Sequence, residues 1–324
     1  DCPDNANGYR YTNTNSTERL RHLLQDVVAP LGPALLKIGR RPQEVAVLES
    51  ATTCLLSNPR TDGYTAPSVT FLQRARLDPR VVYEEAVEKG ALDDGGVKVL
   101  YAPQLQYTTP KVVKAIQAFQ AKGGIFVGDA QTLTALKPDV VAPLVSFSAP
   151  PASDHTDDVD AMEKAKGTDL KTRSATVNAK RIMQRQADEI RAALAKKGYS
   201  PVTDSSSSEI VVYNRRWRNV PYLFAINDKR TFGDYVGQWK RVMEKGLPNA
   251  GTVVINRRAG AVYDLVAHRA LPIRVRDGAT EVDVAYENTD GRVLMAVTNP
   301  LGKLKVRRDG RTVAVTSDDA DAMI

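Results

Sequence analysis

The sequence predicts an α/β layer built on a doubly wound parallel sheet, followed by a mainly antiparallel β-sandwich, and three observations carry that expectation. Val97 to Gln131 reads as one β-α-β unit: an apolar, β-branched run over 97–102, a helix over 109–122 opened by Thr108-Thr109-Pro110 and closed by Gly123-Gly124, then a second apolar run over 124–128. Upstream and downstream of it, strands alternate with helical periods as in a parallel sheet. From Ser205 onward the period changes to short strands separated by Asn, Gly, Asp and Pro turns, the pattern of a sandwich. The boundaries that follow are 1–203 for the α/β part and 204–324 for the β part, with a linker near 146–160 of Ser, Pro and Asp composition.

Each element has its own warrant. Residues 1–15 are polar, Asn-rich and aperiodic, an irregular lead-in. Leu20, Leu23, Leu24, Val27 and Val28 recur at helical spacing within 17–38, predicting a helix or helix pair that covers the sheet and breaks near Pro30 and Pro33. Glu44 to Leu48 is the first strand, and Glu49 to Tyr64 reads as a long loop of the kind that carries sites. A helix over 66–77, a strand over 81–84 and a helical turn over 86–90 lead into the β-α-β unit, whose helix places Val112, Val113, Ile116 and Phe119 on one stripe. Thr176 to Lys197 is a helix with Ile182, Ile190 and Leu194 inside, stopped by Gly198. Seven strands are expected over 209–213, 222–226, 251–255, 261–265, 271–275, 281–285 and 292–297, interrupted by one helix over 235–244. A further strand pair precedes the last residues, and the chain opens on Asp with no signal peptide, which reads as a processed chain or a piece of a longer one.

Composition excludes several function classes. At 324 residues, 42% hydrophobic and 26% charged, the chain is long enough for two cores, and no run reaches the length of about 18 apolar residues that a membrane span needs. The net charge of +7 is spread from end to end, which argues against a specific nucleic-acid surface; Arg215-Arg216-Trp217-Arg218 is the densest basic cluster and reads as a hairpin tip. Cys2 and Cys54 lack any metal spacing and are either free thiols or, in an oxidising compartment, one disulfide. His22, His155 and His268 fit no ligand motif, and the four aspartates around His155 read as a solvated charge run, so no metal or cofactor is expected.

The residues VAVLES after Pro42, VKVLYAPQLQYTTP, and the helix ending AFQAKGGIFVGDA resemble the class I glutamine-amidotransferase-like, flavodoxin-like fold, in the form used by the β-galactosidase trimerisation domain and by similar domains of large secreted bacterial proteins. VPYLFAIND, GAVYDLV and GRVLMAVTNP look like the all-β domains that accompany glycoside hydrolase barrels. In active amidotransferases a cysteine nucleophile sits on the tight turn after the strand; aligned on GGIFVGDAQ, that position is Asp129 here. No Gly-x-Cys-x-Gly elbow and no downstream His-x-Glu pair exist, so the resemblance implies a fold without its amidotransferase chemistry.

Asp129 has two readings: with Gly128 and loops holding Glu49, Gln104 and Gln106 it binds a sugar hydroxyl or forms half of an acid and base pair, or it caps a helix over 130–136. Tyr213, Trp217, Tyr222 and Trp239 likewise either stack on a sugar or fill the core. The function expected is a non-catalytic scaffold, oligomerisation or carbohydrate-associated module of a larger protein, extracellular or periplasmic by the resemblance, whose partners are carbohydrate, its own parent's domains or further copies of itself. The alternatives are a carbohydrate-active hydrolase working through Asp129 and Glu49, and a basic surface-layer or polymer-binding protein.

Overall fold

The computed structural model describes residues 18, 20–40, 43–57, 65–93, 95–143, 170–236, 242–302 and 305–316. In chain order, a π-wound stretch Leu23–Val28 and helix α1 (Ala29–Leu35) precede β1 (Gly39–Arg40), β2 (Val45–Glu49), α2 (Ala51–Ser57), α3 (Thr65–Arg74), β3 (Pro79–Tyr83), α4 (Glu84–Glu88), β4 (Val99–Tyr101), α5 (Pro110–Ala121), β5 (Ile125–Gly128), β6 (Val140–Val141) and α6 (Leu170–Lys196). The β part then runs β7 (Thr203–Ser205), β8 (Ile210–Trp217), β9 (Val220–Asn227), β10 (Arg230–Val236), β11 (Val242–Gly246), β12 (Asn249–Ile255), β13 (Ala261–Asp264), β14 (Arg269–Leu271), β15 (Ile273–Arg276), β16 (Ala279–Tyr286), β17 (Gly291–Val297), β18 (Lys305–Asp309) and β19 (Thr312–Thr316).

The parallel sheet has the order β3-β2-β4-β5-β6. Its central strands are almost wholly apolar because both of their faces are covered, whereas the edge strand β3 exposes Val81 and Tyr83. Val45, Val47, Val99, Tyr101 and Val127 face α3 and α6 through Phe71, Leu72, Ile190 and Leu194. Ala46, Leu48, Leu100 and Phe126 face α5 through Val112, Ile116 and Phe119. Helix α5 begins where Thr109 Oγ1 accepts the Val112 N–H and ends where Gly123, at φ 89°, turns the chain into β5.

The β part packs a six-stranded sheet, β1-β8-β9-β17-β13-β14, on a four-stranded one, β15-β16-β12-β7. Ile210, Leu223, Val262 and Leu294 of the first interdigitate with Val253, Ile255, Val282 and Val284 of the second. Polar contacts tie it to the amino edge of the parallel sheet. Arg76 Nε and Arg191 donate to the Asp204 carboxylate at 2.9 and 2.5 Å, Gln73 donates to the Tyr213 hydroxyl at 3.0 Å, and the Asn214 N–H donates to Asp78 at 3.2 Å.

Five expectations are corrected. The 17–38 helix does not cover the sheet: Leu20, Leu23, Leu24 and Val28 are exposed, whereas Leu35 and Ile38 pack on the outer face of the six-stranded sheet. Its prolines do not break it, since Pro30 lies in the first turn of α1, where no N–H is required, and Pro33 sits inside the helix. The start of the predicted 49–64 loop is helical because Ser50 Oγ accepts the Thr53 N–H at 2.9 Å and nucleates α2. At both ends of the expected 235–244 helix the chain is strand instead, β10 pairing antiparallel with β11 so that Arg230 meets Gly246 and Val236 meets Val242, while 237–241 lie outside the described residues. The strand over 271–275 divides at Pro272, which has no N–H for a ladder, so β14 joins one sheet and β15 the other. No helix follows Asp129, where the chain makes turns instead. The 1–15 lead-in, the 146–160 linker, Cys2 and Trp239 lie outside the described residues.

Candidate functional site

In chain order of its own strands, the parallel sheet reads 2-1-3-4-5, which places the topological switch point between β2 and β4, outside whose carboxyl ends open α/β sheets hold their ligands. The residues that leave those ends are Glu49 and Ser50 from β2, and Ala102 to Thr108 from β4. Hydrogen bonds stitch this crevice together. Glu84, at the end of neighbouring β3, is 5% exposed and sits at its centre. One of its oxygens accepts from Ser50 Oγ at 2.8 Å and Thr108 Oγ1 at 2.5 Å, and the other from the Thr52 N–H at 3.0 Å and Thr52 Oγ1 at 2.7 Å. Burial pushes the Glu84 carboxyl up, yet the Thr108, Thr52 and Ser50 donors together hold it below its ordinary value, so it is an anion locked in place. The backbone of Tyr107 is fixed alongside: its carbonyl accepts from Ser50 Oγ at 3.1 Å and Thr53 Oγ1 at 2.6 Å, and its N–H donates to Thr53 Oγ1 at 3.1 Å.

Asp129 lies past β5, beyond the switch point, and is also 5% exposed. Its carboxylate accepts the Gln104 N–H at 2.6 Å and the Gln131 N–H at 2.8 Å, while its own N–H donates to Thr132 Oγ1 at 2.8 Å. Asp129 therefore holds a turn and clamps the β4 loop, where Gln104 adopts φ 49°. Burial pushes its carboxyl above the ordinary value despite the backbone donors. Its charge and burial together also push the Tyr101 hydroxyl up, burial being the larger cause.

The other sequence candidates divide. Gln104 meets Asp129 through its backbone, and the Gln106 side chain donates to Gln131 Oε1 at 2.8 Å. Gly128 is there for packing, since a Cβ at that position would lie 2.6 Å from Pro138 Cγ and closer still to the Thr132 hydroxyl. Glu49 is half-buried, paired in register with Tyr83, and its carboxylate has no hydrogen-bond or ion-pair partner among the described residues. Because β4 lies between β2 and β5, Glu49 and Asp129 leave strands two spacings, about 9.6 Å, apart, beyond the carboxylate separation of a retaining glycosidase. Tyr222 is core, Tyr213 belongs to the seam with Gln73, and half-buried Trp217 packs beside Tyr222 with the Arg218 guanidinium 4.3 Å from its ring centroid. The Arg215 to Arg218 cluster is indeed a hairpin end, Trp217 pairing with Val220.

Sequence reasoning missed Glu84. The available signal was a Glu that ends one strand and opens a helix, in a chain whose other strand ends carry Ser50, Thr52, Thr53 and Thr108. Among the described residues, no group of three or more His, Cys, Asp or Glu is placed to hold a metal, and no helix is long and apolar enough to cross a membrane.

No family model matches the chain, and no curated protein matches it either. Solved structures do. Alpha-L-fucosidase isoenzyme 2 from Paenibacillus thiaminolyticus is similar at TM-score 0.54 and 11% identity over 84% of this chain and 51% of its own. A β-galactosidase from Bacillus circulans sp. alkalophilus gives 0.49 and 12% over 90% and 46%. The chain thus spans about half the length of each, and its likeness to the fucosidase is one of fold: a parallel α/β layer followed by antiparallel β-sheets.

Proposed function

We propose that this chain is a non-catalytic, carbohydrate-associated module of a larger secreted protein, its α/β part an amidotransferase-like domain whose chemistry has been replaced by structure. One observation carries the reading: at the carboxyl edge, where such a sheet does its work, both buried carboxylates are held by internal donors, Glu84 by four and Asp129 by two. Carboxylates held in this way are committed to fixing loops: Glu84 meets four donors, and Asp129 is pinned by backbone N–H groups on both oxygens. The fold likeness to an alpha-L-fucosidase supports the carbohydrate context.

A second reading, a carbohydrate-active hydrolase, is favoured by the unengaged Glu49 at the switch point. Turnover separates the two. Aryl glycosides of galactose, fucose and rhamnose are expected to show no release above background with the wild-type chain. Release that Asp129→Asn or Glu49→Gln abolishes, in a variant with unchanged melting, replaces the non-catalytic reading by the hydrolase.

A further inference from the structure

We infer that Tyr83, Tyr107 and Glu49 form a binding platform for a neutral saccharide chain on the carboxyl edge of the parallel sheet; this deepens, and rests on, the carbohydrate-associated reading. Tyr83 and Tyr107 are 53% and 45% exposed, although each sits next in the chain to a residue of the part-buried 2.5 Å Thr108–Glu84 hydrogen bond. Two exposed tyrosines are thus adjacent in the chain to the two ends of one hydrogen bond. Tyr107 is anchored through both its N–H and its carbonyl, so its ring presents a face whose backbone needs no ordering when a ligand arrives. An aromatic ring with a hydroxyl offers an apolar face to the C–H side of a sugar and a polar edge to its hydroxyls.

The surrounding groups select the ligand class. Glu49 lies beside Tyr83 in parallel register, and its carboxylate, lacking a protein partner among the described residues, is an acceptor for sugar hydroxyls. Exposed Glu85 follows two residues after Tyr83. On the Tyr107 side the polar groups are the Gln106–Gln131 amide pair and Thr109, whose hydroxyl donates to Glu88. Carboxylates with neutral amides and hydroxyls favour an uncharged polyol and repel uronate or sulfate groups. Leu55 and Leu56, exposed on nearby α2, make a protein partner the competing occupant.

Isothermal titration of the full chain with neutral β-linked hexasaccharides of galactose, glucose and xylose, and with a hexagalacturonate control, tests the platform. Saturable binding of one neutral chain is expected. Tyr83→Ala and Tyr107→Ala each weaken it about tenfold, Glu49→Gln weakens it less, and hexagalacturonate does not bind. Tyr→Phe variants that retain affinity show that stacking, and not loss of folding, explains the alanine results. No binding of any neutral hexasaccharide, or a preference for the charged one, overturns the inference. Binding that survives both alanine variants overturns the platform alone, whereas hydrolysis of the bound chain overturns the non-catalytic reading beneath it. Self-association of the wild type that the tyrosine variants abolish, seen by sedimentation without any saccharide affinity, assigns the surface to a second copy and likewise overturns the proposal.

Discussion

Glu84 and Asp129 are buried to the same extent at the same edge of one sheet, and their carboxyls are displaced in opposite directions, Glu84 downward and Asp129 upward. The difference lies in the donors. Glu84 draws three hydroxyl contacts and one backbone N–H onto its two oxygens, whereas Asp129 draws backbone N–H groups alone. Hydroxyl donors beside a backbone N–H outweigh burial at Glu84, whereas backbone N–H groups alone do not at Asp129. The pair shows two structural uses of a carboxylate at a sheet's carboxyl edge: Glu84 gathers the segments after β2 and β4, and Asp129 fixes the turn after β5.

Removing the larger hub should do the most damage. Glu84→Ala leaves the Thr108 hydroxyl and both Thr52 donors with no acceptor, Ser50 Oγ keeping the Tyr107 carbonyl, and is expected to cost about 3–4 kcal/mol in urea unfolding, with Glu84→Gln close behind because an amide nitrogen cannot accept from Thr52. Asp129→Ala orphans only the Gln104 and Gln131 N–H groups, for about 2 kcal/mol. Equal losses at the two sites would break the comparison.

Acid titration sharpens it, because the signs differ. Glu84 titrates lower in the folded state than in the unfolded chain, so its stabilisation is complete above the unfolded value and is lost as pH falls through the folded one. Asp129 titrates higher when folded, so the folded state binds the proton first and this residue's contribution improves as pH falls through its raised value. Accordingly, Glu84→Gln should flatten the rise of unfolding free energy with pH on the acid side, and Asp129→Asn should steepen it. The same direction of change in both variants contradicts the assignment.

A smaller effect is expected at the amino-edge seam, where Asp204 is more open and its donors are cations. Arg191→Ala also loses contacts at 3.0 and 3.1 Å to the carbonyls of Ala75 and Arg76, and should cost about 1–2 kcal/mol, with some salt dependence because Asp204 is 26% exposed.

The parallel sheet was legible because its central strands are buried on both faces and so read as apolar runs, and α5 because Thr109, Pro110 and Gly123 are local start and stop signals. The Glu84 cluster was not, since its donors come from chain positions 24, 32 and 34 residues away, and nothing local marks a Ser or Thr as aimed at a distant carboxylate. The stripe of Leu20, Leu23 and Leu24 was legible as a helix face but not as an exposed one, because periodicity shows that a face is apolar without showing what covers it. The β10–β11 pair escaped for a third reason: strand pairing overrode a segment whose residues had read as helical.

The most direct test of the central claim, that internal donors and not a substrate occupy the two buried carboxylates of this edge, is a carbon-detected NMR titration of Glu84 and Asp129 in the intact chain, with and without saturating neutral hexasaccharide. Glu84 is predicted to titrate below and Asp129 above the ordinary carboxylate range, and neither to move when the saccharide is added. An Asp129 carboxyl that titrates normally and shifts on saccharide binding would contradict the account.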